Sequence, residues 1–132
     1  MTESLLHINL VRKLREYTIK IIPRENYNFI FEDSSTAKEI PPLIMQKYRP
    51  DLYYEFENQL IIGEAKTEKD IRSEHSKEQY ISYINYCSKY SGCALLLVAV
   101  PWTELGNMNS LLRRILKESN CYCSIKVISD LD

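Results

Sequence analysis

Glycine is scarce in this chain, three residues in 132, and the five prolines are scattered. No Ser/Gly linker, low-complexity tract or internal repeat interrupts it, so one compact domain is expected, within the usual domain range of roughly 100 to 200 residues. Long apolar runs are missing as well. The longest, residues 94–102, falls far short of the ~20 residues that cross a bilayer, and the N-terminal MTESLLHINL has no basic n-region with a cleavage site. A soluble, cytoplasmic protein without a membrane partner is the expectation. Neither charge sign dominates: 17 Lys+Arg face 18 Asp+Glu, for a net charge of −1. That excludes the long-range positive field of strongly basic nucleic-acid binders, so any such site must be a local patch.

Histidine is limited to His7 and His75, far apart and outside any H-x-x-x-H pair, which disfavours zinc and gives both residues surface or core roles. Cys87, Cys93, Cys121 and Cys123 show neither zinc-knuckle spacing nor a C-x-x-C redox pair, so free buried thiols are expected. What the chain does have is a globular composition, 45% hydrophobic and 27% charged, which excludes disorder, collagen-like repeats and a pure coiled coil.

Residues 4–20 place Leu6, Leu10, Leu14 and Tyr17 on one stripe, an amphipathic helix capped by Thr2 or Ser4. Alternating aromatics in residues 26–31 predict a short strand. Residues 51–56 and 59–66 form an antiparallel hairpin around Glu57-Asn58. Tyr80, Ile84 and Cys87 share a stripe over residues 75–90, a second helix ended by Gly92. Residues 93–100, CALLLVAV, are continuously aliphatic and stopped by Pro101, the pattern of a strand buried on both faces. A helix near 109–119 and a strand near 122–128 complete an α/β sandwich around a mixed sheet.

The chemistry concentrates in Pro50-Asp51 and Glu64-Ala65-Lys66. The hairpin brings Asp51 and Glu64 together and puts Lys66 on the face of Glu64. Neighbouring carboxylates repel unless a proton or a divalent cation lies between them, and hard oxygen ligands suit Mg²⁺ or Mn²⁺. A lysine one pleat away could hold an attacking water or offset phosphoryl charge, which is the apparatus of metal-assisted phosphodiester hydrolysis.

These residues resemble the PD-(D/E)xK nuclease superfamily, whose signature reads here as Pro50-Asp51 and Glu64-Ala65-Lys66 across a hairpin. Many members also carry Q-x-x-x-Y on the following helix, matched by Gln79 and Tyr83. The resemblance covers about three quarters of the chain and implies the restriction-endonuclease-like three-layer sandwich. It further implies a metal on Asp51, Glu64 and the Ala65 carbonyl, Lys66 as the water-orienting residue, and Gln79 and Tyr83 as buttresses or backbone contacts. Glu3 is the expected acid of the first helix, as in archaeal Holliday-junction resolvases of similar size, with Glu16 as the competitor.

The tyrosines Tyr80, Tyr83, Tyr86 and Tyr90 recur at helical spacing, which is more often a core stripe than a base-stacking surface. Lys69, Arg72 and Lys77, together with Arg113, Arg114 and Lys117, could track a phosphate backbone or be plain solvated faces. Residues 25–65 hold eight acids against three bases, and those around Glu55 and Glu57 belong at the hairpin tip, away from nucleic acid. The expectation is a Mg²⁺- or Mn²⁺-dependent nuclease, more an endonuclease than an exonuclease, acting on DNA as a homodimer. The competing readings are a non-catalytic module of the same fold that binds nucleic acid or protein, and a subunit that cuts only within a larger complex.

Overall fold

The structure is a computed structural model that describes residues 4–33 and 39–132. The elements run α1 (Leu5–Ile21), β1 (Ile30–Glu32), β2 (Leu52–Phe56), β3 (Gln59–Ala65), α2 (Glu74–Lys89), β4 (Cys93–Val100), α3 (Leu105–Ser119) and β5 (Ser124–Ser129). The five strands lie in the order β1-β2-β3-β4-β5. β1 to β3 form an antiparallel meander, and β3, β4 and β5 are parallel, each parallel step crossing over through a helix. The fold is therefore α/β with a mixed sheet. Among the described residues no helix is long and apolar enough to cross a membrane.

Alternate residues of β3 and β4 face opposite sides. Leu60, Ile62, Leu96, Val98 and Val100 join the buried cluster beneath α2 and α3, while Ile61, Ala65, Leu97 and Ala99 join the one beneath α1. This two-sided burial explains why β4 reads as an unbroken aliphatic run. Ser4 caps α1, its Oγ accepting from the His7 N–H at 3.1 Å, and Ile22 leaves the helix in extended backbone before Pro23. Gly63 lets α1 sit close: a Cβ there would lie 3.0 Å from Leu52 Cβ and 3.4 Å from Leu14 Cδ1.

The β2–β3 turn is tight, with Glu57 (φ 46) and Asn58 (φ 64) both left-handed, the hairpin geometry whose twist matches that of the strands. Gly92 faces this turn. It does not cap α2, which ends at Tyr90; a Cβ on Gly92 would stand 1.9 Å from Asn58 O, so only glycine fits.

Several elements differ from the sequence expectation. Residues Arg24–Phe29 form a 3₁₀ helix rather than the start of a strand, and β1 begins only at Ile30. The buried stripe of α1 is Leu10, Val11, Leu14 and Thr18, with Leu6 36% exposed. α3 starts at Leu105, ahead of the expected residue 109. The four thiols are free, but only Cys87 and Cys123 are buried; Cys93 is exposed and Cys121 half-buried.

Candidate active site at the Asp51 and Glu64 strand ends

Leu52 pairs with Gly63 across the hairpin, so Asp51, one residue before β2, stands opposite Glu64. The Asp51 Oδ2 accepts the Ala65 N–H at 2.9 Å. In an extended strand the N–H and C=O of one residue point the same way, so the Ala65 carbonyl faces the Asp51 side as well. Lys66 lies just past β3, where its N–H donates to Ala99 O at 3.0 Å and holds the strand end against β4.

Glu64 and Lys66 share a face, the one covered by α2. Tyr83 donates its hydroxyl to Glu64 Oε1 at 3.0 Å, the Lys66 ammonium lies 3.6 Å from Glu64 Oε2, and Lys66 Nζ donates to Gln79 Oε1. Gln79 and Tyr83 are four apart and therefore stacked on one side of α2. Helix and strand run in opposite directions, so Tyr83 meets Glu64 and Gln79 meets Lys66. All four polar groups are withdrawn from water: Glu64 is 5% exposed, Lys66 7%, Asp51 8% and Gln79 8%.

This burial shapes the electrostatics. Desolvation, and after it the charge of Asp51, push the Glu64 carboxyl well above the ordinary carboxylate range, while Lys66 and the Tyr83 hydroxyl act in the opposite sense. Burial, followed by the Glu64 charge, pushes the Tyr83 hydroxyl far up, so it remains a donor. Two buried acids and one ammonium leave an excess of one negative charge, an imbalance that a proton or a cation corrects.

The structure adds a residue that the sequence reading set aside. His7, on the first turn of α1, places Nε2 3.5 Å from Asp51 Oδ2. Its approach depends on α1 crossing the start of β2, which no local pattern reports. Glu3 lies outside the described residues. Glu16 pairs with Lys13 at 3.5 Å more than two turns along α1 from His7, so it does not reach the carboxylates.

Tyr83 is 0% exposed. It buttresses Glu64 and does not present itself to a nucleic-acid backbone, and Tyr80, also 0% exposed, donates to Ile71 O at 3.0 Å. Lys69 and Arg72 are exposed on the connection between β3 and α2, near the site. Arg113 and Arg114 are exposed on α3, which runs back from the site end of the sheet, so the basic cluster is not gathered around Asp51. Glu57 lies at the opposite end of the hairpin from the carboxylates, as expected.

The donor set fits a hard divalent cation in part. Asp51 and Glu64 supply carboxylate oxygens and the Ala65 carbonyl faces the same side, with the His7 imidazole adjacent. Among the described residues no group of three or more His, Cys, Asp and Glu is arranged to hold an ion, so water or substrate oxygens would complete the coordination, as is common for Mg²⁺. Comparison with family models, with curated proteins and with solved structures gives no match.

Proposed function

We propose that this chain is a metal-dependent nuclease of the PD-(D/E)xK type with a restriction-endonuclease-like fold, hydrolysing phosphodiester bonds in DNA. The observation that carries the reading is the joint burial of Asp51, Glu64 and Lys66 at adjoining strand ends, held by Gln79 and Tyr83. An arrangement with surplus negative charge is poor as a structural ion pair, because desolvation outweighs the attraction unless the charge is balanced, and it is well suited to receive a divalent cation.

Asp51, Glu64 and the Ala65 carbonyl would hold Mg²⁺ or Mn²⁺, with His7 beside them, and the ion when bound would supply Lewis acidity at the phosphoryl oxygen and lower the pKa of a water. Lys66 then orients the attacking water or stabilises charge developing on the phosphoryl group. Gln79 keeps the Lys66 ammonium aimed at the site, and Tyr83 fixes the Glu64 carboxylate, so both are positioning residues. Lys69 and Arg72 supply cations on the approach. The cleavage proposed is within the strand, and a homodimer would let two sites address two strands.

The test is cleavage of labelled duplex, branched and single-stranded DNA in Mg²⁺, Mn²⁺ or EDTA. Metal-dependent products are expected, reduced by about 10²- to 10⁴-fold in Asp51→Asn and in Lys66→Met; cleavage that survives either variant overturns the assignment. A second reading, a subunit active only when assembled, draws on the low exposure of the catalytic groups and the net charge of −1. It predicts cleavage only after a partner co-purified from the native source is added.

A further inference from the structure

At the far end of α3 the chain builds an open groove, separate from the carboxylates. This shallow, solvent-open groove is lined by Arg113, Leu116, Lys117, Asn120, Cys121 and Tyr122. Its shape follows from the helix end. Asn120 adopts the left-handed conformation (φ 51, ψ 38) and turns the chain back over the last turn of α3. The Asn120 and Cys121 N–H groups cap the Lys117 and Leu116 carbonyls at 3.3 and 3.2 Å. Cys121 is fastened from the other side, its thiol donating to Asn85 Oδ1 of α2 at 3.2 Å.

The residues left at the rim have a consistent chemistry. Arg113 and Lys117 are four apart on one helix face, both exposed, and neither forms an ion pair with a described residue. Tyr122 is 82% exposed, a large aromatic left in water beside two unpaired cations and the aliphatic Leu116. Exposed aromatic faces favour flat π-systems, and paired cations favour anions. A ligand that is flat at one end and anionic at the other satisfies both. Capping of the Leu116 and Lys117 carbonyls reduces the repulsion that a helix C-terminus exerts on an anion.

We propose that this groove binds a nucleotide unit, the base stacked on Tyr122 and the phosphate held by Arg113 and Lys117. The unit is either a free mononucleotide or one residue of a single strand. The two share this chemistry, and the site stands independently of the nuclease reading.

The test is calorimetric titration of the full chain in EDTA, where no metal-dependent cutting interferes, with AMP, adenosine, inorganic phosphate and hexathymidylate as probes. AMP, hexathymidylate or both are expected to bind, adenosine and phosphate alone being at least about tenfold weaker than AMP if AMP binds. Binding of AMP identifies a free-nucleotide site, and binding of hexathymidylate alone identifies a strand site. Tyr122→Ala should weaken binding about tenfold or more, because the base loses its stacking partner, while Tyr122→Phe should not. Lys117→Glu should weaken binding and lower the salt dependence for hexathymidylate. Both positions are exposed, so unchanged melting of the variants separates lost binding from lost folding. The proposal is overturned if neither AMP nor hexathymidylate binds, or if Tyr122→Ala and Lys117→Glu bind as the unaltered chain does. Either result leaves the cleavage assay unaffected, so the two readings fail separately.

Discussion

Replacing Glu64 by glutamine in the metal-free protein isolates the electrostatic strain of the site. Glu64 is buried beside Asp51, and its folded-state pKa is raised, so in the absence of metal its ionisation opposes folding. The stability contributed by the protonated carboxyl is full at pH values below its unfolded pKa and is lost as pH rises through the elevated folded value. Glutamine keeps an acceptor for the Tyr83 hydroxyl and a dipole near Lys66 but cannot ionise. In EDTA the stability of the unaltered protein should therefore fall relative to Glu64→Gln as pH rises, with a limiting slope of one proton, about 1.4 kcal/mol per pH unit. For a domain of this size that is roughly 5 °C per pH unit in melting temperature.

A divalent cation should reverse the order. At a concentration 100 times its Kd it adds about 2.7 kcal/mol, roughly 10 °C, to the unaltered protein and much less to the variant. The apparent metal affinity should rise by up to tenfold per pH unit until Glu64 is ionised. Thermal melts from pH 5 to 9, with EDTA and with Mn²⁺, measure both effects. Parallel melting curves for the two proteins across that range, or an equal shift by Mn²⁺ in both, would refute the reasoning.

Three further substitutions probe the scaffold by denaturant unfolding. Leu14→Ala empties a fully buried position between α1 and the sheet and should cost about 2–5 kcal/mol; a loss under 1 kcal/mol would mean that α1 closes the gap. Gly92→Ala drives a methyl into Asn58 O and should cost about 3 kcal/mol, at or above the upper end of ordinary overpacking; a neutral result would contradict the close approach. Glu57→Gly relieves a left-handed glutamate at the turn and should stabilise by up to about 1 kcal/mol, so a lower midpoint would count against the observed turn.

The element order was legible because each strand carried a local mark. Glu57-Asn58 announced the hairpin, Pro101 ended β4, and period-four apolar residues announced the helices. Failures occurred where two local signals conflicted. Tyr27, Phe29 and Phe31 alternate like a strand, yet Pro23 sets up a 3₁₀ turn whose Asn26 side chain donates to the Tyr54 hydroxyl at 3.2 Å, a tertiary contact with no local trace. Gly106 and Asn107 are weak helix formers, which hid the first turn of α3. At the site, Asp51, Glu64 and Lys66 could be located because the hairpin register fixes which residues face each other, whereas Gln79 and Tyr83 were marked only by the Q-x-x-x-Y resemblance. His7 could not be located, because its approach to Asp51 depends on how α1 crosses the sheet. The exposed basic residues were the least legible, since charge on a helix surface carries no direction until the helix has been placed.

The close fit of Gly92 under Asn58, together with the Cys93 N–H donating to Asn58 O at 2.8 Å, makes the hairpin bend an anchor point rather than a loose tip. It joins the antiparallel and parallel parts of the sheet at the strand ends remote from Asp51 and Glu64. Hairpin bends are usually the first choice for grafting a peptide or opening a chain to new termini; in this protein an insertion between Glu57 and Asn58 would unseat the start of β4.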